Sequence, residues 1–246
     1  MKLARLLLAL LLFAPFPAQA DPLREYAIKV QANGRRPLDS HLEALRLRRG
    51  SPVFIRIYKR ERQLELFMQR RNGGWVLVRR YPICAWSGRL GPKLREGDGQ
   101  APEGFYVVGR KQLKPDSQYH RAFNLGYPNE RERALGRTGS FLMVHGACVS
   151  IGCYAMTDVQ ITEIYDLVSK ALAAGQPGVP VEAYPFVMRD EALERERSSP
   201  WYAEWAELQR GWKVFEGTGQ PATAYACGGR YRFSPAAGCR RIAPWR

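Results

Sequence analysis

Histidine is scarce in this sequence: it occurs only as His41, His120 and His145, and none follows Cys153. Papain-like peptidases and many cell-wall peptidases place the catalytic histidine after the nucleophilic cysteine. Residue order alone therefore excludes those classes for a nucleophile at Cys153. His120 stands in a polar stretch, where a lone histidine usually belongs to the solvated surface, and we assign it that role.

Long apolar runs are also lacking, except near the amino terminus. There Lys2 and Arg5 precede a short apolar stretch at residues 6–16, and Ala18-Gln19-Ala20 has the small-residue spacing of a cleavage site. We predict that residues 1–20 are a signal peptide, that the mature protein is exported to the periplasm, and that it keeps no transmembrane segment. An uncleaved anchor is the less favoured alternative, because the run is short for a membrane span.

Acidic residues are outnumbered by basic ones. The 38 Lys and Arg against 23 Asp and Glu give a formal net charge of +15, which falls to +13 without the two basic residues of the signal peptide. An exported protein this basic suits an anionic envelope polymer or a membrane surface. The sequence has no RNP-like, zinc-finger or helix-turn-helix pattern, so we expect no nucleic-acid partner. A generally solvated basic surface explains the charge equally well.

The number of cysteines is odd, and in an oxidising compartment this favours disulfide pairs plus one free thiol. Cys227 and Cys239 flank a glycine-rich loop and are the pair most easily bridged. Cys84 follows an apolar strand pattern, and we interpret it as a small buried hydrophobic residue. A Cys148–Cys153 disulfide stays open at this point, and it would block any chemistry at Cys153.

The most informative stretch leads from an apolar run at residues 141–144 to Cys153. The run is typical of a buried strand and delivers His145, a glycine-containing turn follows, and Cys153 comes shortly before a helix that Thr157 caps. A strand-borne base and a thiol ahead of a helix are the parts of a cysteine nucleophile. We expect His145 to accept the thiol proton and the helix dipole to lower the pKa of Cys153.

The turn before Cys153 supplies further groups. Backbone amides around residues 151–153 are placed to hold a developing oxyanion, and Gly152 lets the backbone approach a substrate closely. We expect Ser150 to support the turn through its hydroxyl. As a nucleophile, Ser150 would lack a nearby acid to complete a triad.

A metal site is the weaker alternative for the same stretch. His145, Cys148 and Cys153 are all possible zinc ligands, but a fourth ligand and the usual ligand spacing are missing. We therefore expect neither a metal nor another cofactor.

Turn signals and apolar alternation divide the chain into three parts after the signal peptide. Residues 21–50 form a polar lead-in, helical near residues 41–48. Residues 51–185 have the pattern of a β-rich domain with one long helix after Thr157. Its predicted strands lie at residues 53–58, 63–68, 75–81, 105–108, 141–144 and 180–184, with a long loop at 87–100 and a polar connection through Pro115, Asn124 and Pro128.

Residues 186–246 are predicted to form a helical, tryptophan-rich C-terminal extension that carries the Cys227–Cys239 loop. A charged helix at 190–197 precedes a second helix, for which Ser199-Pro200 gives the start signal. One face of this second helix carries Trp201, Trp205, Leu208 and Trp212, and we predict that this face packs against the rest of the protein.

The chain resembles the L,D-transpeptidases with a YkuD-type catalytic domain, and within them a YafK-type branch. His145-Gly146 followed by Ser150-Ile151-Gly152-Cys153 is similar to the family's active-site signature, with an unusually short spacer. Many members carry an arginine where this chain has Ala155, and Tyr154-Ala155-Met156 is similar to the YafK-type branch. Further resemblance covers most of residues 49–233, notably Pro82-Ile83-Cys84-Ala85-Trp86-Ser87-Gly88, Pro102-Glu103-Gly104-Phe105-Tyr106, Phe123-Asn124-Leu125-Gly126-Tyr127-Pro128-Asn129 and Gly211-Trp212-Lys213-Val214-Phe215-Glu216.

The resemblance implies a fold, a reaction and partners. The fold is mainly β, a sandwich-like catalytic domain with one long helix after the nucleophile and a short helical C-terminal appendage. Cys153 is the implied nucleophile and His145 the proton donor and acceptor, acting on peptidoglycan stem peptides, with an envelope lipoprotein as a further partner. Among the outcomes, crosslinking or protein anchoring is favoured. The enzymatic alternative is hydrolysis of such linkages, including release of a murein-bound lipoprotein. The non-enzymatic alternative is an inactive basic murein-binding module.

Overall fold

The computed structural model describes residues 36–244, together with residues 18, 19, 24 and 28. Its helices are α1 (Leu38–Ala44), α2 (Glu130–Ala134), α3 (Asp158–Ala173), α4 (Asp190–Glu194) and α5 (Tyr202–Thr218). Its strands are β1 (Ala18–Gln19), β2 (Val53–Tyr58), β3 (Gln63–Gln69), β4 (Trp75–Pro82), β5 (Ala85–Trp86), β6 (Gly104–Val108), β7 (Leu113–Ser117), β8 (His120–Asn124), β9 (Met143–His145), β10 (Val149–Ser150), β11 (Tyr154–Ala155), β12 (Val179–Tyr184), β13 (Tyr225–Cys227), β14 (Arg230–Arg232) and β15 (Arg240–Arg241).

Two five-stranded sheets form the body of the protein. The first has the strand order β4-β3-β2-β12-β6, and the second has the order β5-β11-β9-β8-β7. In the first sheet β2 pairs antiparallel with β3 and parallel with β12, so Ile55 lies between Leu66 and Val181. All six residues of β2 are buried, as expected of a central strand with a covered sheet face on each side.

The main core lies between the sheets and includes α3. Thr157 caps this helix by accepting a hydrogen bond from the Gln160 amide, and the Gln160 side chain reaches back to the Thr157 amide, so the predicted capping box is confirmed. The apolar stripe of the helix is buried in one cluster with side chains of both sheets, including Ile161, Ile164, Val168 and Leu172. The predicted fold class, mainly β with one long helix and a helical C-terminal appendage, is confirmed.

The C-terminal residues cover the other face of the first sheet. Phe105 and Tyr184 of that sheet join Phe186, Trp205 and Leu208 in a second buried cluster. The tryptophan face of α5 is a packing face, as predicted. A three-stranded sheet, β14-β13-β15, completes this layer, and a disulfide joins Cys227 to Cys239, which confirms that predicted pair.

Several element boundaries differ from the predicted ones. Helix α1 ends at Ala44 instead of residue 48, α4 ends at Glu194 instead of residue 197, and α5 begins after Trp201. The hydroxyl of Ser199 accepts a hydrogen bond from the Trp201 amide, so this serine caps the turn that precedes the helix.

The predicted polar connection around Pro115 and Asn124 was wrong, because these residues lie in the antiparallel hairpin of β7 and β8. Strand β7 lies at the edge of the second sheet and is largely exposed. Exposed edge strands need no apolar run, and a register shift after Lys114 further hides the alternation.

The predicted signal peptide falls outside the described residues, except for Ala18 and Gln19 in β1. The lead-in at 21–50 is described in full only from residue 36 onward. Across the described residues, every helix falls short of the length or the apolar character needed to cross a bilayer.

Candidate active site

Adjacent parallel strands position His145 and Cys153. His145 is the last residue of β9, and its partner across the parallel pairing is Ala155 of β11. Cys153 directly precedes β11, where its sulfur accepts a hydrogen bond from the amide of Met143 at 3.4 Å. The imidazole and the thiol are therefore carried by two strands whose separation the backbone hydrogen bonds fix.

The turn before Cys153 is held by two buried serines. The Ser150 hydroxyl accepts a hydrogen bond from the Cys153 amide at 3.1 Å and donates one to the Cys153 carbonyl at 2.7 Å. The Ser87 hydroxyl accepts from the Gly152 amide and lies 3.2 Å from the Ser150 hydroxyl. Gly152 has a φ of +92°, a region that other residues rarely adopt. The amides of Gly152 and Cys153, expected to hold an oxyanion, are thus bonded to serine hydroxyls.

A disulfide anchors the same segment from the other side. Cys148 is bonded to Cys84, and only Cys153 among the five cysteines is free. The interpretation of Cys84 as a simple buried hydrophobic residue was wrong: it is buried, but in a disulfide. This pairing removes the Cys148–Cys153 alternative, and it removes Cys148 from the alternative metal site, since a disulfide sulfur is not a thiolate ligand.

The sulfur of Cys153 lies in a half-buried position. Besides the Met143 amide, the Phe141 carbonyl lies 3.5 Å from it and accepts from the thiol. Burial raises the pKa of Cys153, while the Met143 hydrogen bond and the charge of Lys93 lower it more weakly. The expected lowering of this pKa was wrong, because α3 begins only at Asp158, five residues further along, and burial outweighs the favourable contacts.

His145 is buried and held as a neutral base. Its Nδ1 lies 2.7 Å from the Gly146 carbonyl, an acceptor, so Nδ1 carries the proton and Nε2 keeps its lone pair. Burial lowers the pKa of His145, and this hydrogen bond offsets part of the effect. The Tyr119 ring packs against the imidazole with its centroid 4.8 Å away. Burial therefore favours the neutral form of both the Cys153 thiol and the His145 imidazole.

A cleft of about 590 Å³ is lined by neighbours of these two residues, although neither His145 nor Cys153 lines it. Phe141 and Met143, whose backbones touch the Cys153 sulfur, form one wall, and Tyr119 connects the cleft to His145. The rest of the lining is β7 and the turn that follows it, at residues 113–119. Phe141 is 66% exposed and Tyr119 is 41% exposed, so apolar surface borders the thiol.

Comparison with known proteins assigns the chain to a family. The model of the YkuD L,D-transpeptidase catalytic domain matches residues 52–182, a range that contains both His145 and Cys153. The chain is 50% identical over 182 residues to "Putative L,D-transpeptidase YafK" of Escherichia coli K12, covering 74% of each protein. The chain belongs to the L,D-transpeptidase family.

Solved structures include more distant likenesses. The helical cell shape determining protein Pgp2 (K307A mutant) from Campylobacter jejuni is 20% identical with a TM-score of 0.44, over 73% of this chain. The match spans 63% of the Pgp2 chain, less than two thirds of its length. Bd1075 of Bdellovibrio bacteriovorus is 14% identical with a TM-score of 0.42, over 80% of this chain and 94% of the other.

Two features distinguish this candidate site from the signature of many family members. The position where many family members carry arginine is Ala155, which is fully buried. The spacer after His145 is short, and Ala147 and Cys148 both have positive φ, at 63° and 59°. The Asp158 carboxylate accepts from the Ala147 amide at 2.8 Å, which ties this tight turn to the start of α3.

His120 lies outside the thiol site. Its Nε2 is 2.7 Å from the hydroxyl of Thr162 on α3, and the side chain is exposed. Within the described residues no three His, Cys, Asp or Glu side chains gather as ligands for a metal ion.

The sequence reasoning missed Ser87, the Met143 amide and Lys93. Lys93 is 3% exposed and forms an ion pair with Asp98 at 2.5 Å. Ser87 directly follows β5, and a polar residue at that point could have been considered as a neighbour of the signature turn. Its contact with Gly152 spans 65 residues, so no local pattern predicts it.

Proposed function

We propose that the protein is an exported, cysteine-dependent L,D-transpeptidase that acts on peptidoglycan stem peptides through a thioacyl intermediate on Cys153. One observation carries the proposal: the single free cysteine of the chain directly precedes β11, the strand that pairs with the strand of His145, in a family whose catalytic domain matches this region. The open cleft beside the sulfur gives an extended peptide access. The predicted signal peptide supports a periplasmic location.

The first half of the reaction forms a thioester. The Cys153 sulfur attacks the carbonyl of the L-centre of the third residue, while Nε2 of His145 takes the thiol proton. The bond to the terminal D-alanine then breaks, and His145 returns the proton to the departing amine. Because burial favours the neutral forms of the thiol and the imidazole, proton transfer accompanies the attack instead of preceding it.

The developing oxyanion needs a donor near the sulfur. The amides of Gly152 and Cys153 donate to Ser87 and Ser150, whereas the Met143 amide points at the sulfur itself. We assign the Met143 N–H to stabilisation of the anionic sulfur and of the oxyanion. Ser150 and Gly152 support the turn that holds Cys153.

The second half of the reaction depends on the acceptor. His145 takes a proton from an incoming amine, which attacks the thioester carbonyl and releases the Cys153 thiol. An amine of a second stem peptide gives a crosslink, and the lysine of an envelope lipoprotein gives an anchored protein. Water in the same position gives hydrolysis, so the acceptor alone separates transferase from hydrolase.

Purified protein incubated with disaccharide tetrapeptides, with products measured by mass, tests the proposal. Loss of D-alanine with a joined product indicates transfer, and loss of D-alanine with a tripeptide indicates hydrolysis. A murein-bound lipoprotein fragment is the second substrate, whose release indicates cleavage of that linkage. The Cys153→Ala and His145→Ala variants are expected to lose all of these activities, with the fold checked by circular dichroism.

A Ser169→Ala variant is the matched control, because Ser169 lies on α3 and, among the described residues, its hydroxyl bonds only to a carbonyl in its own helix. Its product pattern is expected to equal that of the parent protein. Unchanged substrates with the parent protein, or full activity of Cys153→Ala, would rule out the proposed reaction.

A further inference from the structure

Lys114 shares a row of side chains with His145. Lys114 of β7 pairs with Ala122 of β8, and Ala122 pairs with His145 of β9. Residues directly opposite each other on paired strands project from the same sheet face, so Lys114 stands on the face of His145. Two strand spacings place their Cα atoms about 10 Å apart, with only the small Ala122 between them.

The opposite face confirms this orientation. Leu113 and Phe123, the adjacent cross-strand pair, pack into the main core. Alternation along β7 therefore turns Lys114 away from the core, and its side chain is exposed in the cleft beside Cys153.

Lys114 is the only Lys or Arg that lines this cleft, and its ammonium group has neither a hydrogen bond nor an ion pair within the described part of the chain. The other cations near the site are engaged elsewhere. Lys93 is paired with Asp98, and Arg121 lies over the ring of Tyr165 on α3.

One carboxylate, Asp116, also lines the cleft. A register shift between Lys114 and Ser117 separates Asp116 from Lys114 along β7. The charge of Asp116 acts on Tyr165, as does the charge of Arg121. The ammonium group of Lys114 is thus left available for a ligand.

Resting on the proposed function, we infer that Lys114 is the carboxylate anchor of the acyl-donor subsite, binding a carboxylate of the stem peptide while its L-centre carbonyl lies at Cys153. A diaminopimelate-containing donor offers two carboxylates to such an anchor. One ends the D-alanine leaving group, and the other belongs to the distal D-centre of the diamino acid. A lysine side chain extends about 6 Å from its Cα, so the ammonium group meets the substrate from the β7 side of the sheet.

Peptide binding to the Cys153→Ala protein tests the anchor separately from catalysis. Calorimetry compares three tetrapeptides: the parent with diaminopimelate, the same peptide with its terminal carboxylate amidated, and one with lysine at the third position. Lys114→Met is expected to weaken parent binding about fivefold, the effect of a partly exposed charge pair. The peptide affinity of the Lys114→Arg variant is expected to stay within a factor of about two of that of the protein with Lys114, because the charge is kept.

The pattern over the three peptides identifies the carboxylate. If Lys114→Met loses affinity for the parent and the lysine peptide but not for the amide, the anchor binds the terminal carboxylate. If it loses affinity for the parent and the amide but not for the lysine peptide, the anchor binds the distal D-centre.

The matched control is Lys111→Met, an exposed lysine three residues away that lies outside this cleft. Its affinities are expected to stay unchanged. The proposed role of Lys114 would be overturned if the Lys114→Met variant bound all three peptides as tightly as the protein with Lys114. Equal losses of affinity in Lys111→Met and Lys114→Met would overturn it as well. Failure of the proposed function has a different signature, since the Cys153-containing protein would bind peptides but not process them.

Discussion

The hydroxyl oxygens of Ser87 and Ser150 lie 3.2 Å apart, although 63 residues separate the two in sequence. Ser150 bonds both backbone groups of Cys153, and Ser87 accepts from the amide of Gly152. Both serines are buried, so water does not compete for these bonds. The position of Cys153 therefore depends on a residue that is distant in sequence.

Replacing Ser87 by alanine is expected to lower kcat about tenfold, since the Gly152 amide loses its acceptor and the turn relaxes. The unfolding free energy should fall by about 1–3 kcal/mol, the cost of a buried donor left unpaired. Turnover of tetrapeptide and chemical denaturation measure the two effects. The Ser169→Ala control should change neither, and full kcat in Ser87→Ala would mean that the turn holds without this contact.

The rate of Cys153 alkylation is expected to rise about tenfold per pH unit from pH 5 to pH 8, without a plateau. Burial raises the pKa of the thiol above its ordinary value, so the thiolate is a small fraction that grows with pH throughout this range, and burial also disfavours the imidazolium form of His145. A preformed thiolate–imidazolium pair would instead give a flat profile. Iodoacetamide labelling followed by mass spectrometry measures the rate, with Cys153→Ala as the unreactive control.

Removing the disulfide next to the site should affect both stability and activity. A cross-link over 64 residues is worth about 4 kcal/mol of chain entropy, so Cys84→Ala/Cys148→Ala should be less stable by that order. Because Cys148 lies between His145 and Cys153 in sequence, kcat should also fall. Denaturation and turnover measure these effects.

Removal of the second disulfide is the control for that experiment. Cys227→Ala/Cys239→Ala opens a cross-link over only 12 residues, far from the thiol in sequence, and should cost about 3 kcal/mol with kcat unchanged. Equal losses of kcat in both double variants would mean that the Cys84–Cys148 bond has no special role at the site.

Glu132 should make the protein less stable as the pH rises. Burial raises the pKa of this carboxyl to about 7, although Tyr106 donates to it at 2.6 Å and the Asn129 amide at 2.7 Å. At pH values between the pKa of Glu132 in the unfolded chain and about 7, the folded state binds more protons than the unfolded state. The contribution of Glu132 to the free energy of unfolding is therefore complete at low pH and is lost as the pH rises through 7.

The Glu132→Gln variant cannot ionise and should therefore lack this loss. Between pH 5 and pH 8 the parent's unfolding free energy should fall relative to the variant's by at most about 1.4 kcal/mol per pH unit. Urea titrations at several pH values measure the difference. A constant offset between the two proteins would show that the carboxyl keeps the same charge throughout.

The sequence predicted the elements whose pattern is local. The capping box at Thr157 and the apolar stripe of α3 require only residues a few positions apart, and both are present. The hairpin of β7 and β8 was missed because an exposed edge strand with a proline carries no alternating apolar signal. Missing this hairpin had a consequence for the site, since β7 and the turn after it line the cleft.

The candidate site was predictable only in part for the same physical reason. His145 and Cys153 lie within one short signature, whereas Ser87 and Cys84 reach it from segments more than 60 residues away. The direction of the Cys153 pKa shift was wrong, because it depends on burial in the folded protein, which no local pattern contains.

The parallel pairing of β9 and β11 has a consequence for how such sites diverge. Neighbouring strands keep a fixed spacing whatever chain joins them, so insertions or deletions between His145 and Cys153 would remodel the connecting turn and leave these two residues in place. The short connection between His145 and Cys153 in this chain therefore changes the surface around the site and leaves the spacing of the two residues unchanged. The length of this connection can change during evolution to suit a larger or smaller substrate, while His145 and Cys153 keep their positions.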